Sequence, residues 1–267
     1  MSFFKSILES DDSRSPSKFS RMLAVPLQTK YKKVFPKQEV SKKILILCTE
    51  KSHMEMANGR IFLTGNHPTE LFVPLKHLDD IGVSFDFVTL SGAPVALEKW
   101  ALPTNDSVIM NFFQENKVKL DNPCKIDQAL KNKDSYDGVF IPGGHGAMLD
   151  LPFSNEVGEL LGYFMDSNKG IFSLCHGPAA LLALGDKLQG LTLVAFPDWM
   201  DKFTPNLGYL PGNMPWFLGE KLKQKGAKVL FSLANGRCHQ DRNILTGDSP
   251  DAAQRFGGRM GIYITKN

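Results

Sequence analysis

The chain has 267 residues, 42% of them hydrophobic and 22% charged, with a formal net charge of +3. That is enough apolar material for one large core, or for one domain with a small annex. No stretch approaches the roughly 20 uninterrupted apolar residues of a membrane-spanning helix. The four cysteines (Cys48, Cys124, Cys175, Cys238) show no short paired spacing, and the opening segment MSFFKSILESDDSRSP lacks a long apolar core. A reducing, cytoplasmic setting without a signal peptide is therefore expected.

Charge is uneven along the chain. Residues 1–43 carry ten Lys/Arg against four Asp/Glu, which leaves 21 against 24 for the remainder. This basic arm contains no clustered run of like charge, and its Phe, Leu and Val residues are interspersed with the charges. It reads as a solvated extension packing along the body rather than as a nucleic-acid contact. From residue 44 to 267 the chain alternates β-rich apolar runs with helical patterns, the signature of an α/β domain with a parallel sheet covered on both faces. Strands are predicted at 43–48, 83–90, 138–144, 170–175, 191–196, 227–233 and 243–247. Helices are predicted at 67–82, 155–170, 178–186, 215–226 and 250–261, several with Pro just inside the start and Gly at the end. An insertion at about 92–135 is longer than a simple connection and is expected to form a small annex with the arm.

Chemistry concentrates in GIFSLCHGPAALLAL (170–184), where Cys175 and His176 sit between a predicted strand and a predicted helix. In such sheets ligands bind at the carboxyl ends of the strands. A thiol on a sharp strand-to-helix turn is exposed above the sheet, and unpaired N–H groups at 178–180 favour thiolate. The Cys175 pKa is thus expected below about 8.5. A buried structural cysteine is the alternative, and Cys-His-Gly-Pro at an elbow argues against it. VFIPGGHGAM (139–148) places Gly143 and Gly144 at another strand end, either as a tight turn or as a cradle bringing backbone N–H groups to a reacting oxygen. Glu70, in TGNHPTELF, falls in a helix's first turn, where it either complements the helix dipole or reaches the strand ends.

The segments GNHPTELFVPL, IPGGHGA, SLCHGPAALLAL, AFPDWMDKFTPNLGYLPG and LTGDSPDAA, in this order and over about residues 44–260, closely resemble the PfpI superfamily in its bacterial HchA branch. The resemblance implies a flavodoxin-like sandwich with a small additional domain, and a homodimer. It implies a glutathione-independent glyoxalase III that converts methylglyoxal to lactate without a cofactor. Deglycase activity on glycated proteins or nucleotides and a holding role toward unfolded proteins are implied as well. Carried over by motif, Cys175 is the nucleophile, His176 the triad imidazole, Asp201 the triad acid, and Glu70 the carboxylate at the thiol. Asp198 lies three residues before Asp201, and only the resemblance selects between them.

The chain departs from the pattern at the metal-binding His, Glu and His of some HchA proteins, which correspond to Asp79, Ser84 and Asn116 here. His67 and His77 read as surface or capping residues, so no tightly bound zinc is expected. A cysteine peptidase or amidase on the same elbow, or a chaperone that does not use the thiol, are the alternatives in other functional classes.

Overall fold

Five apolar runs build the centre of the molecule, here a computed structural model that describes residues 3–24, 30–36 and 40–266. Parts of the 1–43 arm (residues 1–2, 25–29 and 37–39) lie outside those residues. In chain order the arm gives β1 (Ile7–Leu8), β2 (Arg14–Ser15) and α1 (Lys18–Ala24), and the body opens with β3 (Lys43–Leu47). A hairpin of β4 (His53–Glu55) and β5 (Ile61–Leu63) leads to α2 (Pro68–Asp80) and β6 (Ser84–Thr89). The long connection supplies α3 (Ser107–Glu115), α4 (Lys117–Asp121), β7 (Cys124–Lys125) and α5 (Ile126–Lys131). Then come β8 (Gly138–Ile141), α6 (Asn155–Asp166), β9 (Gly170–Leu174), β10 (Thr192–Leu193) and α7 (Asp198–Phe203). The last elements are α8 (Leu218–Gln224), β11 (Lys228–Val229), β12 (Cys238–Asp241), β13 (Ile244–Gly247) and α9 (Ala253–Lys266).

The central sheet has the order β12-β13-β9-β8-β3-β6-β7. Every pairing is parallel except β12 with β13. Strands of such a sheet are buried on both faces, which is why they read as continuous apolar runs. Leu45, Leu47, Val139, Ile141 and Ile171 face a layer containing Leu160, Leu161 and Leu181. Their neighbours Ile44, Ile46, Phe140, Phe172 and Leu174 face the opposite layer, with Leu71 and Leu75 of α2 and Phe256 of α9. Truncating Phe140 or Phe172, both fully buried, to Ala costs about 3–5 kcal/mol. The α/β sandwich with a mostly parallel sheet is therefore as expected. Among the described residues no helix is long and apolar enough to cross a membrane.

Three expectations are corrected. The runs at 191–196 and 227–233 do form strands, but only Thr192–Leu193 and Lys228–Val229 pair, in a separate two-stranded sheet. The segment predicted as a helix at 178–186 is a succession of 3-10 turns over Gly177–Leu188, broken at Gly185, whose φ is 57°. The annex is also composed differently. The arm strand β2 pairs with β5 of the hairpin to give the four-stranded sheet β1-β2-β5-β4. Residues 92–135 divide between the two: Trp100 Nε1 donates to Leu63 O of β5 at 3.2 Å, whereas β7 lies on the edge of the central sheet and α3 packs against α2. The arm still touches that segment, because the Tyr31 N–H donates to the Asp106 carboxylate at 2.7 Å.

Candidate active site

β9 ends at Leu174, and the chain turns so sharply that Cys175 takes φ 59°. A left-handed conformation at a residue with a Cβ is strained and persists only where its surroundings fix it. Here backbone bonds hold both sides: the Cys175 N–H donates to Gly247 O at 2.8 Å, and Cys175 O accepts from the Phe196 N–H at 2.9 Å. The sulfur lies 3.5 Å from His176 Nδ1. His176 Nε2 lies 2.9 Å from Asp201 Oδ2, and His145 Nε2 lies 3.1 Å from Asp201 Oδ1. All four residues are buried.

Asp201 and Asp198 are both on α7, and the structure separates them. Asp198 accepts from the N–H groups of Gly219 and Glu220 at 2.7 and 2.9 Å, closing the start of α8. Asp201 points to the two histidines. Burial raises its pKa, but the imidazoles of His176 and His145 more than offset this and hold it well below the usual carboxylate range.

Glu70 enters from the first turn of α2 and is 1% exposed, so it is no surface group complementing a dipole. Its carboxylate faces the Cys175 thiol and the Gly143 N–H, which both favour its charged form. Neither oxygen makes a hydrogen bond of regular geometry. Burial outweighs those two contacts and pushes its pKa well above the ordinary value. Gly143 has no room for a side chain, since a Cβ there would lie 1.9 Å from Glu70 Oε2. Gly144 follows at φ 102°, against the backbone of Gly65 and His67. The glycine pair thus brings the β8 turn into contact with the entry to α2, and Glu70 onto the sulfur.

The expected depression of the Cys175 pKa is overturned. Burial, and then the Glu70 charge, push the thiol well above its ordinary value. The N–H groups invoked against this are not free: Pro178 has none, and the Ala179 N–H donates to His176 O at 3.0 Å. Desolvation therefore beats the helix dipole here. A charge on sulfur or on carboxylate opposes ionisation of the other, so the pair retains a proton at neutral pH. That proton rests either on sulfur, or on Glu70 with the sulfur as thiolate.

His67 occupies the residue before α2, yet its side chain caps nothing and is 5% exposed. Burial, with His145 and His176 nearby, lowers its pKa to about 3. His77 is fully buried beneath Tyr31 and Phe35. The reading of both as surface histidines is therefore corrected. Asp79, Ser84 and Asn116 line one surface cleft with Lys43 and Lys119. Asp79 Oδ2 accepts from Lys76, the Ser84 hydroxyl donates to Lys42 O, and the Asn116 amide nitrogen donates to Phe112 O. A single carboxylate with a hydroxyl and an amide does not fit zinc, which takes imidazole, thiolate and carboxylate ligands. His145, His176 and Asp201 bring their ligand atoms within 4.8 Å of one another. Those atoms are already bonded inside the trio, so the arrangement is a proton network.

Two residues at the site escaped the sequence reading. His145 stands inside the quoted IPGGHGA, and a histidine in a glycine turn at a strand end was the available signal. Glu98, 1% exposed, accepts from the Thr64 hydroxyl at 2.8 Å. Burial raises its pKa to about 7. Nothing in the local pattern around ALEKW marks it.

The model of the DJ-1/PfpI family matches residues 61–260. The chain is 43% identical over 221 residues to the protein/nucleic acid deglycase HchA of Escherichia coli O1:K1, covering 80% of this chain and 78% of that protein. In structure it is similar to the rapid encystment protein of Francisella tularensis, with a TM-score of 0.72 at 22% identity over 84% of this chain and 99% of that one. It is likewise similar to glyoxalase III from Candida albicans, with a TM-score of 0.68 at 18% identity over 84% and 97%. With 200 consecutive residues under the family model and an alignable relative along most of its length, this chain belongs to the DJ-1/PfpI family.

Proposed function

We propose that the protein is a glutathione-independent enzyme acting on 2-oxoaldehydes, with methylglyoxal converted to lactate and early carbonyl adducts of proteins or nucleotides reversed. The observation that carries this reading is the placement of one sulfur between a proton-holding carboxyl, Glu70, and an imidazole nitrogen, His176 Nδ1 at 3.5 Å. Cys175 sulfur adds to the aldehyde carbon, and the one proton held by the Glu70–Cys175 pair passes by way of the sulfur and His176 to the carbonyl oxygen, giving a hemithioacetal and leaving Glu70 as a carboxylate. Once sulfur is bonded to carbon it carries no charge to oppose Glu70 ionisation, and the buried carboxylate is a strong base. Glu70 takes the proton from the former aldehyde carbon, an enediol forms, and the same group returns the proton to the neighbouring carbon. Transfer of the first hydroxyl's proton to the neighbouring oxygen leaves a thioester, and water releases lactate and the thiol. Backbone N–H groups about Gly144 and His176 are assigned to the developing oxyanion.

Deglycation shares the first intermediate. At an amine–methylglyoxal adduct, sulfur bonds to the carbon while the amine leaves with a proton, and the hemithioacetal then follows the same course. The 43% identity to a protein named protein/nucleic acid deglycase supports this branch. The resemblance also supports a cytoplasmic homodimer that holds unfolded proteins. Sizing by light scattering and aggregation assays with Cys175→Ala test those two assignments.

A peptidase on the same elbow is disfavoured because Cys175 is 4% exposed, which suits a small carbonyl better than an extended peptide. The deciding experiment measures lactate from methylglyoxal without glutathione, beside cleavage of a fluorogenic peptide. Wild type is expected to form lactate and leave the peptide intact, while Cys175→Ser and Glu70→Gln lose turnover by orders of magnitude. Peptide cleavage without lactate, or near-wild-type turnover in either variant, would overturn the scheme.

A further inference from the structure

Asp201 has two carboxylate oxygens, and a different histidine occupies each. An ionised carboxylate only accepts, so both imidazoles must carry their proton on Nε2. For His176 this turns the other ring nitrogen, Nδ1, toward the Cys175 sulfur. The ring of His176 is also held between two others: His145 at 4.0 Å and 34° on one side, and Phe196 at 4.7 Å and 32° on another. His145 is itself fixed. Its backbone N–H meets the Glu98 carboxylate, which the Thr64 hydroxyl also engages. The preceding Gly144 is locked against Gly65, where a Cβ would come within 2.2 Å of a carbonyl oxygen.

Without His145, Asp201 Oδ1 is a buried acceptor with no donor, and nothing stops the carboxylate from rotating to use either oxygen. A buried charged acceptor that loses its donor forfeits a large part of its stabilisation. We propose that His145 is a positioning residue for the thiol chemistry: by occupying Asp201 Oδ1 it keeps Oδ2 on His176, and so keeps Nδ1 of His176 on the Cys175 sulfur. His145 acts through Asp201 and His176 rather than on the substrate. This assignment rests on the reading of Cys175 as the nucleophile.

Two substitutions separate the N–H from the ring: His145→Phe keeps a ring without a donor, and His145→Gln keeps a donor without the ring. Each is measured by kcat and KM on methylglyoxal and, independently of any substrate, by the rate at which iodoacetamide alkylates Cys175 at neutral pH, followed by peptide mass spectrometry. His145→Phe is expected to lower kcat about 10- to 100-fold, the range for one hydrogen bond to a charged group, with KM within about twofold. It lowers the alkylation rate in parallel, and His145→Gln restores both to within a few-fold of wild type. Wild-type values in His145→Phe, or equal losses in both variants, would overturn the assignment. If wild type forms no lactate, the proposed activity fails while the alkylation series still decides the role of His145. Nitrogen-15 NMR of the wild-type protein decides it even if a variant does not fold: a proton is expected on Nε2 of both His145 and His176, and the absence of a proton from Nε2 of His145 contradicts the proposal.

Discussion

Gly143 and Glu70 approach each other so closely that a Cβ on residue 143 would lie 1.9 Å from Glu70 Oε2 and 2.6 Å from the Cys175 Cβ. The glycine is thus what lets a carboxyl from α2 reach a sulfur at the end of β9. Gly143→Ala is expected to push Glu70 off the thiol while leaving the distant core intact. A displacement of about 1 Å at a reacting group costs on the order of 100-fold. Lactate formation should therefore fall by about that factor with the circular dichroism spectrum unchanged. Full activity in Gly143→Ala would mean that the Glu70 position is not critical.

Glu70 also makes stability depend on pH. In the unfolded chain it ionises above its ordinary value of 4.5, whereas in the fold burial holds the proton to much higher pH. Between those two values the unfolded state binds fewer protons than the folded one, so stability is complete below about 4.5 and falls as pH rises. Glu70→Gln removes that loss. The variant is expected to melt at a higher temperature than wild type at pH 7 and at nearly the same temperature near pH 4. A lower melting temperature at pH 7 would contradict the burial argument.

Glu98 obeys the same sign with a bounded window. Its carboxyl rises from 4.5 to about 7 in the fold, so its contribution is present below 4.5 and is lost progressively up to about pH 7. At about 1.4 kcal/mol per pKa unit, the loss is about 3 kcal/mol. Glu98→Gln keeps an oxygen for Thr64 and the His145 N–H. Its stability, from urea melts between pH 4 and 8, is expected to lack this part of the slope. An unchanged slope would mean that Glu98 is already ionised in the fold near pH 5.

Why the sequence disclosed some of this and not the rest follows from the same residues. KILILC, GVFI, GIFSL and NILTG are buried on both faces, and continuous apolar runs of that kind declare themselves. β12 is Cys-His-Gln-Asp, an edge strand with one buried partner and no apolar pattern, so nothing local announced it. The three-residue strands of the hairpin, His53–Glu55 and Ile61–Leu63, are too short for a period to register. The strand at 191–196 was legible, but its departure from the central sheet is a matter of tertiary pairing. At the site, Cys175, His176, Asp201 and Glu70 stood in motifs, and the structure brings them together. The direction of the Cys175 pKa did not follow, because a local helix-dipole argument contains no information about burial or about a carboxyl arriving from residue 70. Glu98 was silent for the same reason: a buried carboxylate has no sequence pattern of its own.

The metal prediction rests on which atoms face the cleft. Zinc binding at Asp79, Ser84 and Asn116 requires three donors that are free, and chemically suited, to take a divalent cation. Asp79 Oδ2 accepts from Lys76 Nζ at 2.8 Å, and Ser84 and Asn116 offer only a hydroxyl and an amide, which are not the imidazole, thiolate or carboxylate ligands that zinc takes. Lys43 and Lys119 line the same cleft together with Asp86 and Glu115, and Lys43 pairs with Asp86 at 2.6 Å, so the donor types rather than the local charge decide against zinc. Protein dialysed against excess EDTA is expected to keep its turnover on methylglyoxal, and added zinc to leave the melting temperature unchanged. Elemental analysis of the purified protein should find far less than one zinc per chain. Stoichiometric zinc whose removal abolishes turnover would mean that a metal site exists despite this poor set of donor types.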